Sequence, residues 1–535
     1  MVMGVKPFVR EATGLVKEYG PREFLLFASA AVFALVFTTT QFPWFYGNTL
    51  GANLPLSLLV ASIPFFILMV GYIAIGVVMP RSGSDYVWVS RIFHPAVGFT
   101  WSVIYAFAVF YVAYVGGVFA FSYAFSTTLT VLGIISNSSS LFNLGSFLGG
   151  SVGSFFLAVL FTVVFGLFAV FGSRLIKALL YVSWGFALIG IALMWYTLAT
   201  TNPSVFAAKW DTLLASFGGG ATYQALYDSN LKSFPGMASG FGAIVTALPL
   251  ASLFLLGGNY VNAAAGEVKS VKRSLILALI LSLVFGIIYW SVTSALTLGA
   301  VGSSWVTVVG HGWDNNPGGY GLSIPPSQPL ILAVASYPNT ALTEALLFTY
   351  LAGSVATMFT YFWLTTKYLF AWSFDRVVPT RFAQVSERFH TPYVAVITVV
   401  VLGIILSALY SFLGWSTAFT LGTVIWDVAF IVPGLALAVF PWLRRDIYQG
   451  APGWVGKRVG GLPLISIVGV LITVLYAWLG FIAYTDPVIT TPTTLSFIVI
   501  GGLIVFGLAV YYASSVYNRG RGLDLGLVFK EIPPE

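Results

Sequence analysis

The chain has 535 residues, of which 58% are hydrophobic and only 8% charged. Soluble domains carry roughly a quarter charged residues, so the composition excludes one and points to a polytopic membrane protein. The absence of cysteine excludes disulfides and thiol catalysis, and the net charge of +7 is read first as membrane topology, not as attraction to nucleic acid or another anionic partner. The three histidines, His94, His311 and His390, fall far apart in loop-like segments, so neither a metal site nor a cofactor is expected.

In chain order, 1–23 reads as a polar cytoplasmic segment holding Lys6, Arg10, Lys17 and Arg22. The apolar run that follows is longer than a signal-peptide core and lacks a small-residue cleavage site, so it is expected to stay as the first helix. Twelve membrane helices are predicted, at about 24–47, 55–79, 96–125, 150–171, 174–200, 239–273, 274–300, 341–370, 393–411, 417–440, 462–484 and 495–517. With the N-terminus inside, every one of the 24 basic residues except Lys209 and Lys232 falls on the inner side. That bias supports twelve spans with both termini cytoplasmic, in a cell membrane. The outer segments 126–148, 201–238 and 301–340 are long, polar and nearly uncharged. The first contains Asn137-Ser138-Ser139, an acceptor sequon. The third contains PLILAVASY, too short to span and expected to lie as a short helix over the outer vestibule.

Two helices break their own pattern. Helix 6 is interrupted at Gly257, Gly258 and Asn259, with Pro249 a turn or two earlier. Glycine costs about 1 kcal/mol in a helix interior, and unpaired backbone at membrane depth is tolerated only where protein buries it or a cavity meets it. Helix 1 carries Thr38, Thr39, Thr40 and Gln41 ahead of Phe42-Pro43, and a residue before proline is pushed out of the helical region. Paired interruptions five helices apart suit two inverted repeats with a solute site between them. The N-terminus of the outer half of helix 1 can then receive a carboxylate, and carbonyls at the ends of the inner helix-1 and outer helix-6 segments an ammonium. Two other readings stand beside this one. The glycines pack against a neighbouring helix, and the threonines bond back to carbonyls of an unbroken helix.

Three stretches resemble the amino acid–polyamine–organocation superfamily of permeases. They are Met79-Pro80-Arg81-Ser82-Gly83-Ser84-Asp85-Tyr86, Gly257-Gly258-Asn259 through Gly266-Glu267-Val268-Lys269, and Trp372-Ser373-Phe374-Asp375-Arg376-Val377-Val378-Pro379 followed by Thr391-Pro392. Their order and spacing cover helices 1–10. The resemblance implies an all-α, five-plus-five inverted-repeat fold of the leucine-transporter kind with two appended helices. It divides the chain into 24–200 as the first repeat, 201–238 as an extracellular loop, 239–440 as the second repeat, 441–517 as helices 11 and 12, and 518–535 as a cytoplasmic tail. It also implies alternating-access transport of an amino acid or related amine. The sequence departs from the family in its Thr38–Gln41 break, in Asp85 where glycine is usual, and in lacking a lysine midway along helix 5.

On this reading the solute site comprises Thr38, Thr39, Thr40, Gln41, Leu256, Gly257, Gly258, Asn259 and Tyr111, with Tyr114 a second aromatic lid. Asp427, mid-helix 10, is a candidate proton carrier, because ionisable groups at that depth are costly. A neutral, structural aspartate is the alternative. The resemblance to related folds makes Ser354 and Thr357, which share one face of helix 8, candidate sodium ligands; the alternative is that they bind their own backbone or hold helices together. Glu267 and Asp375 are candidate cytoplasmic-gate or loop-ordering ion pairs, with Lys or Arg partners that the sequence does not assign. The expected function is secondary active transport driven by protons or sodium. The alternatives are a channel, a solute-binding receptor, or a carrier of polyamines or nucleobases. No nucleotide-binding glycine loop or nucleophile–base set argues for an enzyme.

Overall fold

A computed structural model describes residues 15–33, 35–215, 222–315, 328–415, 422–486 and 493–530. Lys6 and Arg10, the predicted start of helix 10 at Thr417 and the end of the tail lie outside them. Among the described residues, twelve helices are long and apolar enough to cross a membrane. They are span 1 (Pro21–Thr39), span 2 (Leu54–Val78), span 3 (Pro95–Ile135), span 4 (Ser151–Val170), span 5 (Ser173–Ala199) and span 6 (Gly240–Glu267). The rest are span 7 (Val271–Val301), span 8 (Thr340–Phe374), span 9 (Tyr393–Phe412), span 10 (Val424–Leu443), span 11 (Leu464–Thr485) and span 12 (Thr494–Arg519). The protein is an all-α multi-pass membrane protein. Local chemistry sets many of the ends. Asn53 caps span 2 by accepting from the Leu56 amide, with Pro55 in the first turn, and Asn339 caps span 8 in the same way.

Spans 1, 3, 6, 8 and 10 are mostly buried, while spans 4, 9 and 12 turn wide apolar faces outward. On span 4, Val152, Phe156, Leu160, Val163 and Leu167 are all exposed, a stripe at helical spacing that lipid would cover. Small residues let the spans approach closely. A Cβ on Gly353 would sit 2.5 Å from the Ala187 Cα, and one on Gly190 would sit 2.8 Å from the Tyr350 amide. Spans 5 and 8 therefore meet backbone to backbone.

The structure corrects the reading of the outer segments as loops. Span 3 continues to Ile135, well past 125, and a helix at Ser139–Gly149 folds back along it. Gly145 permits this, since a Cβ there would strike Thr130 and the Ser126 carbonyl. Helices at Pro203–Ala215, Tyr223–Leu231 and Ser303–Asn315 build a further helical layer. The apolar PLILAVAS stretch is a helix at Pro329–Ser336, buried along its whole length. Few charges are needed here because these segments cover one another. Asn137 of the sequon is exposed and adopts a positive φ of 51°.

Candidate solute site and its gates

Both predicted interruptions are present. In span 1 the α-helix ends at Phe33, a tighter 3-10 turn runs over Leu35–Thr39, and a new helix begins at Gln41–Asn48. The break starts nearer the N-terminus than residues 38–42. Pro43 lies in the first turn of the new helix, where its missing amide costs nothing, and so does not itself sit in the break. In span 6 the α-helix covers Gly240–Leu253, the chain turns at Gly257, and a 3-10 stretch continues over Gly258–Glu267. Gly257 has φ +110°, and a Cβ there would lie 2.6 Å from that of Ala31. A Cβ on Gly258 would lie 2.9 Å from Ser282 Oγ. These glycines pack span 6 against spans 1 and 7.

Between the two breaks lies a cavity of about 630 Å³. Thr40, Gln41 and Trp44 line it from the span-1 side, Leu256 and Tyr260 from span 6, Tyr361 from span 8 and Trp426 from span 10. It extends past Phe119 and Tyr123 to Gly149 and Ser151, on the face that carries the long segments between spans. No Asp, Glu, Lys or Arg lines it among the described residues.

Of the residues picked from sequence, Thr40, Gln41 and Leu256 line this cavity. Thr38 instead shares a 3.0 Å hydrogen bond with the Tyr289 hydroxyl, and Thr39 donates to the Val36 carbonyl at 3.0 Å. Asn259 lies behind the wall, its Nδ2 donating to the Tyr105 hydroxyl at 2.9 Å. Tyr111 and Tyr114 are not in the lining: they bind the Trp415 carbonyl and the Thr162 hydroxyl. A π-helical stretch at Ala108–Val115 changes the angular register of span 3, and Phe119 and Tyr123 face the cavity in their place. Sequence reasoning missed Tyr260, Tyr361 and Trp426. The first could have been found, since it follows the Gly-Gly-Asn break directly.

The carbonyls freed at the end of the inner span-1 helix are met by side chains. Ala30 accepts from Thr357 at 2.8 Å, Ala31 from Tyr361 at 3.1 Å and Val32 from Trp290 at 3.3 Å. Ser354 donates to the Tyr350 carbonyl of its own helix at 3.0 Å. Asp427 is fully buried, with Oδ1 accepting from Ser252 of span 6 at 3.2 Å. Span 10 is itself broken just beyond it, between helices ending at Val428 and starting at Ile431. Pro433 offers no amide to the Ala429 carbonyl, and the Trp101 indole supplies the missing donor at 2.9 Å.

The opposite face, which carries the basic clusters, is sealed. Glu267 pairs with Lys367 at 2.5 Å, and Asp375 holds Arg91 through two 2.8 Å bonds. Both pairs are nearly solvent-free. The chain before span 1 adds a plug. Glu18 and Tyr19 amides donate to the Glu267 carbonyl, the Lys269 amide donates back to Tyr19, and the Tyr19 ring packs edge-on against Trp363. Phe529 of the tail lies under the Arg91 guanidinium, 5.1 Å from ring centre to Cζ.

A cavity open on one face, two interrupted helices beside it and ion pairs closing the other face form the anatomy of a solute carrier. No curated protein matches the chain. A family model described as amino acid permease matches residues 24–505. The chain therefore belongs to the amino acid permease family of the amino acid–polyamine–organocation superfamily, and is a multi-pass membrane transporter of an amino acid or related solute rather than an enzyme.

Proposed function

We propose that this permease is a secondary active transporter of neutral amino acids with apolar side chains, working by alternating access and driven by protons. The observation that carries the solute class is the lining of the cavity. It is aromatic, aliphatic and hydroxylic, with Gln41 its one amide and no charge among the described residues. A polyamine or a charged side chain would be left there without a counter-ion, at a cost of several kcal/mol per desolvated charge. A zwitterion needs only dipoles. The amides opening the Gln41–Asn48 helix suit its carboxylate, and carbonyls ending the Gly240–Leu253 helix suit its ammonium. Tyr260, Tyr361 and Trp426 enclose the side chain.

The basic face is cytoplasmic on this reading, so the conformation is open to the outside. The two five-span repeats, 24–200 and 239–440, move against each other to expose the solute inside. That movement must part Glu267 from Lys367, Asp375 from Arg91, and Tyr19 from span 6.

Protons are favoured over sodium by the buried carboxylate of span 10, while the span-1 carbonyls that a sodium ion would need already accept from Thr357 and Tyr361, and Ser354 bonds its own helix. Asp427 meets the outer half of span 6 through Ser252, one residue from Leu253 of the cavity wall. Its charge state is thereby joined to the element that changes on solute binding.

The test is uptake by purified protein in liposomes, with L-leucine, L-phenylalanine, L-glutamate, L-lysine, putrescine and adenine supplied in turn. We expect L-leucine or L-phenylalanine to accumulate against its gradient under an acid-outside pH difference, and the charged solutes not to. Uptake that never exceeds equilibration under pH or sodium gradients would instead make the protein a channel or a receptor.

A further inference from the structure

Asp85 is the residue that neither the cavity nor the gate pairs use. It opens the short helix Asp85–Ile92 between spans 2 and 3 and is 1% exposed. Oδ1 accepts from the Tyr368 hydroxyl and from the Tyr86 amide, each at 3.1 Å. Oδ2 is buried with no hydrogen-bond partner among the described residues. Arg91, on the same short helix, is committed to Asp375. Burial pushes the Asp85 carboxyl up to about 7, against the pull of Tyr368 and the backbone. The titratable groups within its electrostatic reach are Tyr72 of span 2, Tyr105 of span 3, Tyr260 of span 6 and Tyr368 of span 8.

Those tyrosines lead back to Asp427. The Tyr368 and Tyr105 rings meet edge-on at 5.9 Å, and the Tyr105 hydroxyl holds Asn259. The Tyr72 hydroxyl lies beside Asn259 and within reach of Tyr476. Tyr476 in turn neighbours Asp427. Phe430 packs against Tyr72, Tyr105 and Tyr476 and holds the column together. The hydroxyls of Tyr72 and Tyr476, Asn259 Oδ1, Asp427 Oδ2 and Asp85 Oδ2 are all buried polar atoms without a hydrogen-bond partner among the described residues. Left dry, each would carry an uncompensated desolvation penalty. Water bridging between such groups is the usual remedy. A structural core would be cheaper with phenylalanine at these positions.

We propose that Asp85 is a second proton-carrying carboxylate, and that Tyr476, Tyr72, Tyr105 and Tyr368 with bridging water pass protons from Asp427 to it and on to the basic face. The inference rests on the proton-carrying role of Asp427 given above. Each transfer forms one O–H bond and breaks one. Every hydroxyl accepts a proton on its oxygen and releases its own, so the net change is a proton lost from Asp427 and gained by Asp85. Asn259 orients Tyr105 and Tyr72 and does not itself carry the proton. The proton leaves Asp85 by the half-exposed turn at Arg81.

Two measurements test this on the full-length protein. In lipid, infrared difference spectra between pH 6 and pH 8 should contain a carboxylic C=O band that Asp85→Asn removes and Asp427→Asn leaves in place. A spectrum unchanged by Asp85→Asn overturns the second carboxylate, and needs no solute. In liposomes, acid-driven accumulation of L-leucine should fall at least tenfold in Tyr368→Phe and Tyr72→Phe. Exchange of labelled for unlabelled L-leucine at equal pH should stay within twofold of wild type. Full accumulation in both tyrosine variants overturns the column, and Tyr368→Phe keeps that arm open if Asp85→Asn does not fold. If Asp427→Asn alone accumulates L-leucine fully, the failure belongs to the coupling role of Asp427 and not to Asp85.

Discussion

The Thr357 hydroxyl donates a 2.8 Å hydrogen bond to the Ala30 carbonyl, tying span 8 to the point where span 1 stops being helical. Four residues on, Tyr361 does the same to Ala31. Span 8 thus caps the inner half of span 1 from one face, as i, i+4 spacing allows.

The first prediction follows from that bond. Thr357→Val keeps the shape but removes the donor, so it should lower stability by about 1 kcal/mol. Thermal unfolding in detergent, followed by tryptophan fluorescence, measures this. Exchanging sodium chloride for potassium chloride should leave the melting temperature of the wild type unchanged. A sodium-specific rise would make Thr357 an ion ligand after all.

The second concerns Gly257. Its φ of +110° is closed to side chains and its Cβ position is already occupied by Ala31. Gly257→Ala should cost at least about 1–2 kcal/mol from the backbone alone, with the clash added. The cost should appear as a lower melting temperature without any solute present, which separates packing from binding.

A third prediction uses the cysteine-free background. Thr366 is buried beside the Glu267–Lys367 pair on the basic face. A Thr366→Cys protein should react slowly with a membrane-impermeant maleimide. Adding Asp375→Asn weakens the bidentate hold on Arg91, and each 1.4 kcal/mol lost from the closed gate opens it tenfold more often. Labelling should accelerate by about tenfold or more. An unchanged rate would mean that the Arg91–Asp375 pair does not hold this face shut.

The fourth is a pH effect on the loop face. Partial desolvation raises the Asp314 carboxyl to about 6, partly offset by a hydrogen bond from Asn48, although the residue as a whole is exposed. The folded state therefore holds this proton more tightly than the unfolded chain. Its stabilisation is complete below the ordinary value near 3.8 and is lost as pH rises through about 6. Because Asp314 is exposed, solvent screening keeps that loss small. Between pH 4 and pH 7, wild-type stability should fall more steeply than that of Asp314→Asn, as read from paired denaturation curves.

Sequence alone determined the membrane class, the number of spans and the family. Hydrophobic runs and the placement of basic residues are local properties, and lipid allows little besides helices. It also located both interruptions, because Gly-Gly and a polar run before proline are local events. Glu267 and Asp375 stood out as charges beside apolar helices, but their partners Lys367 and Arg91 lie 100 and 284 residues away and meet them only in the fold. Which side chains line the cavity was a tertiary matter. Thr38, Thr39 and Tyr111 have the right chemistry, yet a 3-10 turn and a π-helical stretch rotate them away, and neither leaves a clear mark in composition. For Gly258, only the fold shows that a Cβ there would meet Ser282, Val32 and Met69, because the sequence does not say what crosses it. Asp85 was visible as a departure from the family pattern. Only the packing of spans 2, 3, 8 and 11 places tyrosines between it and Asp427, since a buried column is made by residues from helices that share no sequence neighbourhood.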